Sequence, residues 1–61
     1  MNRVVKILMN RDGMTKKEAE DCLKDVRRQL KECNYDPEES EDIIYGELGV
    51  ELDYLADILY D

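Results

Sequence analysis

Apolar residues recur at intervals of three and four positions through the middle of this chain. They stand at Ala19, Cys22, Leu23, Val26, Leu30 and Cys33. This spacing places all of them on one stripe of an α-helix, and it does not fit the alternating pattern of a strand. The stripe therefore predicts a helix over residues 16–33, and it constrains the fold more than any other feature.

Start and stop signals mark this helix and the one before it. Thr15 and Glu18 have the spacing of a capping box, which starts the longer helix. A first helix with its own apolar face is predicted near residues 2–10. The Asp12-Gly13 pair ends that first helix, because glycine readily adopts the left-handed conformation of a helix stop.

Two further helices are predicted in the second half. Asp36 caps the third helix, Pro37 occupies its first turn, and Gly49 ends it. Gly46 interrupts this helix at a cost of about 1 kcal/mol relative to alanine, and we expect it to mark a close approach of two helices. The fourth helix starts near Glu51. Its apolar stripe comprises Leu52, Leu55, Ala56 and Leu59, with Ile58 widening it and Tyr54 on its flank.

The fold class is therefore all-α, with three to four short helices in a small helical-hairpin bundle. The 61 residues make one domain over residues 1–61. A chain this short buries only about 60% of its unfolded surface, so oligomerisation is the expected remedy and we predict a homodimer. The stripe predicted to form the core and the dimer contact comprises Cys22, Leu23, Val26, Leu30, Leu52, Leu55 and Leu59.

The two cysteines indicate a reducing compartment. Cys22 and Cys33 lie about 16 Å apart along one predicted helix, at roughly 1.5 Å per residue. A disulfide between them within one chain is therefore excluded. No signal peptide is evident and no apolar run approaches the length of a membrane span. We expect a soluble cytoplasmic protein with no membrane partner.

Charge is divided unequally between the two halves of the chain. Residues 1–31 hold nine Lys or Arg against five Asp or Glu, a net of +4. Residues 32–61 hold eleven acidic residues and no base, a net of −11, and together the halves give the net charge of −7. So acidic a half repels nucleic acid and anionic lipid and attracts a basic surface. We predict no nucleic-acid partner.

The predicted partner-binding residues all lie in the acidic half. They are Glu38, Glu39, Glu41, Asp42, Tyr45, Asp53, Tyr54 and Asp57. The carboxylates could grip a basic protein or imitate phosphates, and the alternative is a solvated face near a helix N-terminus. The tyrosines suit an interface because they bury area while keeping a polar tip, and the alternative is the rim of the core.

Catalysis and metal binding find no support in the sequence. The chain has no histidine, which removes the commonest general base and metal ligand. No calcium-loop pattern is present, and no nucleophile has a base to activate it. We therefore expect a non-enzymatic protein with no cofactor and no metal.

Three stretches give the chain a family resemblance. They are residues 9–15 (MNRDGMT) with Glu18 and Ala19 after them, residues 26–30 (VRRQL), and three segments of the last part of the chain, 47–51 (ELGVE), 53–55 (DYL) and 57–59 (DIL). The pattern resembles a group of very short acidic proteins encoded by phages and prophages of Gram-positive bacteria. The chain departs from this pattern at Leu52, where the group is expected to have proline. The departure affects how sharp the last turn is expected to be, and it does not affect the prediction of the helix.

The resemblance implies an accessory phage gene. Such genes often encode inhibitors of bacterial immunity, including anti-CRISPR proteins, sponges for nucleotide signals and inhibitors of helicase-based systems such as Hachiman.

Three hypotheses for the function follow. The first is an inhibitor that binds a basic, nucleic-acid-handling host defence protein through the acidic half. The second is a sponge for a small nucleotide, with Arg3, Arg11, Arg27 and Arg28 gathered across a dimer. The third is a structural homo-oligomer or subunit.

Overall fold

The structure, a computed structural model, describes residues 2–60, and this part of the chain is helical without any strand. The elements are α1 (Arg3–Asp12), α2 (Lys16–Glu32), α3 (Pro37–Leu48), a 3₁₀ turn (Leu52–Tyr54) and α4 (Leu55–Leu59). The longest helix, α2, packs against each of the other three. The all-α prediction is therefore confirmed.

Local signals fix the ends of the first two helices. The Asn2 side chain accepts a hydrogen bond of 2.8 Å from the Val4 N–H and so starts α1. This helix runs two residues beyond its predicted end, because Gly13 is the first residue to take a left-handed conformation, with φ of 69°. The predicted capping box is confirmed. The Thr15 N–H donates to Glu18 over 2.9 Å, and the Glu18 N–H donates to the Thr15 hydroxyl over 3.1 Å.

The third helix begins and ends where the sequence predicts. An Asp36 carboxylate oxygen accepts a hydrogen bond of 3.1 Å from the Glu39 N–H, and Pro37 is the first helical residue. Gly49 ends the helix with φ of 65°. The expected role of Gly46 is wrong, because a Cβ built there would meet no atom within 4 Å. No other helix approaches at this point.

The core is formed from all four helices of one chain. Its buried apolar residues are Val4, Val5, Leu8, Ala19, Leu23, Val26, Leu30, Ile44, Leu48, Val50 and Ile58. The α2 part of the predicted stripe, Leu23, Val26 and Leu30, is thus buried within the chain, and Cys22 is half-buried at its edge. These leucines and valine serve the core and offer no surface to a second copy. The thiols of Cys22 and Cys33 are free.

The last helical segment differs from its prediction. Instead of one helix from Glu51, the chain makes a 3₁₀ turn starting at Leu52 and then the five-residue α4. A 3₁₀ turn has 3.0 residues per turn rather than 3.6, which shifts the face that the following residues present. Ile58 is consequently the fully buried residue and Ala56 is exposed. Leu52, Leu55 and Leu59 are half-buried at the edge of the core.

Within the part of the chain that is described, no helix has both the length and the apolar composition needed to cross a membrane.

Candidate protein-binding surfaces

One side of α3 carries three carboxylates and a tyrosine. Glu38, Glu41, Asp42 and Tyr45 follow one another at steps of three, one and three, which places them on one face of the helix. All four are exposed, and Tyr45 retains 71% of its accessible surface. We call these four residues the α3 acidic face. The opposite side of α3 is buried at Ser40, Ile44 and Leu48.

The carboxylates of the α3 acidic face have no basic partner among residues 2–60. The ion pairs found there are Arg3–Asp57, Arg11–Asp12, Arg28–Asp25 and Arg28–Glu32. None of them includes a residue of α3. Because no Lys or Arg follows Lys31 in the sequence, the negative field of this helix is directed into solvent.

Glu39, also predicted to bind a partner, lies beside this face rather than on it. With Asp42 and Ile43 it lines a shallow groove of about 430 Å³ between α3 and the end of α2. The α2 wall of the groove contains Glu32 and Cys33. Carboxylates therefore lie on both walls, which suits a basic rather than an acidic occupant.

The remaining predicted site residues lie in a different environment. The Arg3 Nε atom donates to an Asp57 carboxylate oxygen over 2.6 Å, and the Arg3 guanidinium lies 5.0 Å from the centre of the Tyr54 ring. Asp57 and Tyr54 are thus engaged within the chain, by an ion pair and a cation–π contact. Asp53 is exposed and lies near these groups in a groove that Arg3 and Arg11 also line. The eight predicted residues therefore do not form one surface.

All four arginines proposed for a nucleotide pocket have partners in the chain. Arg11 donates to the carbonyl oxygens of Leu48 and Gly49, and Arg27 donates to that of Ile58. Arg3 binds Asp57, and Arg28 binds Asp25 and Glu32. Arg3, Arg11 and Arg27 link the basic half to the last part of the chain, whereas both partners of Arg28 lie on its own helix, α2. With these partners the four arginines do not converge on a common pocket within one chain.

An apolar groove between α3 and the C-terminal segment was not predicted. It encloses about 580 Å³ and is lined by Tyr35, Pro37, Ser40, Leu52, Leu55, Leu59 and Tyr60. Ser40 is only 3% exposed, and its hydroxyl oxygen has no hydrogen-bond partner. The burial of Ser40 could have been predicted from the sequence. Ser40, Ile44 and Leu48 recur every fourth residue, which places the serine on the apolar side of α3.

Three carboxyl groups elsewhere have lowered pKa values with plain structural causes. The hydrogen bond from Arg11 lowers the pKa of Asp12, and that from Arg28 lowers the pKa of Asp25. The Thr15 backbone N–H lowers the pKa of Glu18 in the capping box. These shifts belong to ion pairs and a helix cap. Among residues 2–60, no group of three or more Cys, Asp or Glu side chains is arranged to hold a metal ion.

No protein-family model matches the chain, and neither does any curated protein or solved structure.

Proposed function

We propose that the chain is a non-enzymatic protein-binding module that places the α3 acidic face against a basic surface of a partner protein. The observation that carries the proposal is that Glu38, Glu41 and Asp42 form no ion pair within residues 2–60, although the arginines of the same segment are engaged elsewhere. Tyr45 extends from the same face and can anchor the contact. Opposite charge would speed association and select the partner.

The resemblance to short phage proteins gives this module a setting. We propose that it inhibits a bacterial immune protein in the host cytoplasm, where a nucleic-acid-handling system such as Hachiman or CRISPR offers a basic surface. An acidic helix seated on such a surface would exclude the nucleic acid that the surface normally holds. Neither a cofactor nor a metal enters this mechanism.

The alternatives receive less support from the geometry. A nucleotide sponge needs uncommitted positive charge, and Arg3, Arg11, Arg27 and Arg28 each bind a group of their own chain. The predicted homodimer could use Leu52, Leu55 and Leu59, but the α2 part of its stripe is buried within one chain. Such a dimer would also bring two strongly acidic halves together. We therefore favour a partner of opposite charge.

A pull-down from bacterial lysate, washed at increasing salt, tests the proposal. The test variant removes two charges from the α3 acidic face, Glu38→Gln with Asp42→Asn. The control removes the same two charge types from the exposed side of α2, Glu20→Gln with Asp21→Asn, since neither residue is in an ion pair among residues 2–60. The wild type and the control should capture one basic protein that salt releases.

The α3 variant should lose that protein while its helical circular dichroism signal stays unchanged. If it captures the same protein as strongly as the control does, the α3 acidic face is not the binding surface and the proposal is wrong.

A further inference from the structure

The groove between α3 and the end of α2, here called the α2–α3 groove, has carboxylates on both of its walls. Glu39 and Asp42 lie on the α3 wall and Glu32 lies on the α2 wall, and all three are exposed. Asp42 also belongs to the α3 acidic face, so the groove borders that face. A protein seated on the α3 acidic face would therefore reach this groove as well.

Between these carboxylates the groove has an apolar part. Ile43 of α3 and Cys33, which caps α2, are half-buried there. Apolar surface beside carboxylates suits a side chain that combines an aliphatic stem with a cationic head, as lysine and arginine do. The volume of about 430 Å³ lies near the low end of the range for ligand pockets, roughly 300–1,000 Å³, and so suits a single side chain.

The hydrogen-bonding groups of the groove indicate a cationic occupant on separate grounds. Its neutral polar side chains donate within the chain, Gln29 Nε2 to Asp25 over 3.1 Å and the Cys33 thiol to the carbonyl oxygen of Leu30 over 3.3 Å. The two carboxylates of the α3 wall have no ion pair among residues 2–60. Acceptors are therefore what the groove offers, and its occupant has to bring donors.

Between the two cationic side chains, arginine fits the groove better. A guanidinium group has five N–H donors spread around a plane and no acceptor, so it can donate to both walls at once, whereas an ammonium group is a compact point charge. Arg28 already holds Glu32 over 3.2 Å, which orients the α2 wall. Glu39 and Asp42 are three positions apart on one helix, and a bound cation would relieve their repulsion.

We propose that the α2–α3 groove binds one arginine side chain of the partner protein, with its guanidinium group between the carboxylates of the two walls and its aliphatic stem on Ile43. This inference rests on the proposed function for the source of the arginine. It adds the residue type that is recognised and a second helix, α2, to the binding surface.

Cys33 allows the groove to be tested without knowledge of the partner. Small symmetric disulfides carry matched two-carbon tails that end in a guanidinium, ammonium, hydroxyl or carboxylate group. The Cys33 thiolate attacks such a disulfide, bonds to one half and releases the other half as a thiol. Equilibration against 2-mercaptoethanol, followed by peptide mass spectrometry, gives the retention of each tail. Cys22 is the internal control, because it is half-buried on the same helix but does not line the groove.

The guanidinium tail should be retained at Cys33 about fivefold more strongly than the hydroxyl tail, as expected for one or two exposed ion pairs. The ammonium tail should fall between them, and the carboxylate tail should be retained least. Cys22 should discriminate less among the four tails. Salt should reduce the preference at Cys33.

Matched variants separate the groove from the general negative field of the chain. Glu39→Gln with Asp42→Asn removes two charges from the groove and should abolish the preference for the guanidinium tail. Glu38→Gln with Glu41→Gln removes two charges from the same helix outside the groove and should leave most of that preference in place. Circular dichroism checks that both double variants remain helical.

The remaining outcomes distinguish this inference from the proposed function. If both double variants weaken the preference equally, only the general field attracts the cation and the groove inference is wrong. If the guanidinium tail is retained no better than the ammonium tail, the assignment of arginine is wrong. A basic lysate protein captured by a chain without the preference would overturn the groove inference alone. The preference without any captured protein would support the guanidinium site and overturn the proposed function.

Discussion

Arg11 Nη2 donates a hydrogen bond of 2.6 Å to the carbonyl oxygen of Leu48, which lies 37 positions later in the chain. The same guanidinium donates from Nη1 to the carbonyl oxygen of Gly49 over 3.1 Å. The last turn of α3 has no base of its own, so Arg11 supplies the positive charge that the negative end of this helix favours. Part of the attraction between the two halves of the chain therefore acts within the fold.

Arg11→Ala should lower the Tm, because the terminal carbonyl groups of α3 lose both a hydrogen-bond donor and a compensating charge. Lys6→Ala is the matched control, since it removes a positive charge from an exposed position of α1. Arg11→Lys should fall between the two, because an ammonium cannot reproduce the fork that spans both carbonyl oxygens. Thermal unfolding followed by circular dichroism measures the three Tm values. Equal Tm values for the two alanine variants would contradict the prediction.

The glycine inside α3, Gly46, and the glycine that ends it, Gly49, should respond in opposite ways to substitution by alanine. Gly46→Ala should raise the free energy of unfolding by about 0.5–1 kcal/mol, because the added Cβ meets no atom within 4 Å and alanine favours the helix. Gly49→Ala should lower it by about 1–2 kcal/mol, because its φ of 65° strains any other residue. The new Cβ would also lie 3.2 Å from Arg11 Nη1. Urea unfolding of both variants tests the pair, and changes of the same sign would contradict the prediction.

The sequence predicted well what depends on neighbouring residues. The caps at Thr15 and Asp36 and the stops at Gly13 and Gly49 are local, since each involves a few consecutive residues. The α3 acidic face was predictable for the same reason, because helical spacing alone places its members together. Where the sequence was misleading, at Gly46, the expected neighbour depended on how helices pack.

Contacts between residues that are far apart in the chain could not be predicted from the sequence alone. Nothing near Asp57 in sequence shows that Arg3 pairs with it, and this pair removes Asp57 from the predicted binding surface. The sequence placed Ile58 only at the edge of the fourth-helix stripe, and it did not predict the 3₁₀ turn that buries Ile58 completely and leaves Ala56 exposed. The apolar groove arises only when the last segment packs beside α3. Such features require the tertiary structure.

Ile58 should be the residue that holds the last segment in place. Its side chain is completely buried, so Ile58→Ala should cost about 2–4 kcal/mol, a large share of the stability of so small a domain. Leu59→Ala should cost only about 1 kcal/mol, because Leu59 is half-buried at the groove. Urea unfolding of the two variants measures both costs. A larger loss of stability for Leu59→Ala than for Ile58→Ala would contradict the 3₁₀ turn and would support one continuous helix from Glu51.

The capping box should show a pH dependence of defined sign. The Thr15 backbone N–H stabilises the ionised form of Glu18 and lowers its pKa below the ordinary 4.5. A carboxyl group whose pKa is lower in the folded state than in the unfolded state stabilises the fold above the unfolded pKa. That contribution is lost as the pH falls from about 4.5 through the folded pKa.

Glu18→Gln isolates this effect, because glutamine can still accept the Thr15 hydrogen bond but does not titrate. Protonation of the other carboxyl groups, including relief of repulsion in the acidic half, should affect both proteins alike. The wild type should therefore be more stable than Glu18→Gln at neutral pH, and the difference should shrink as the pH falls below the ordinary glutamate pKa. Urea unfolding at a series of pH values and constant ionic strength measures the difference. A difference that stays constant across the series would mean that the charge of Glu18 does not stabilise α2, and that its hydrogen bond alone makes the cap.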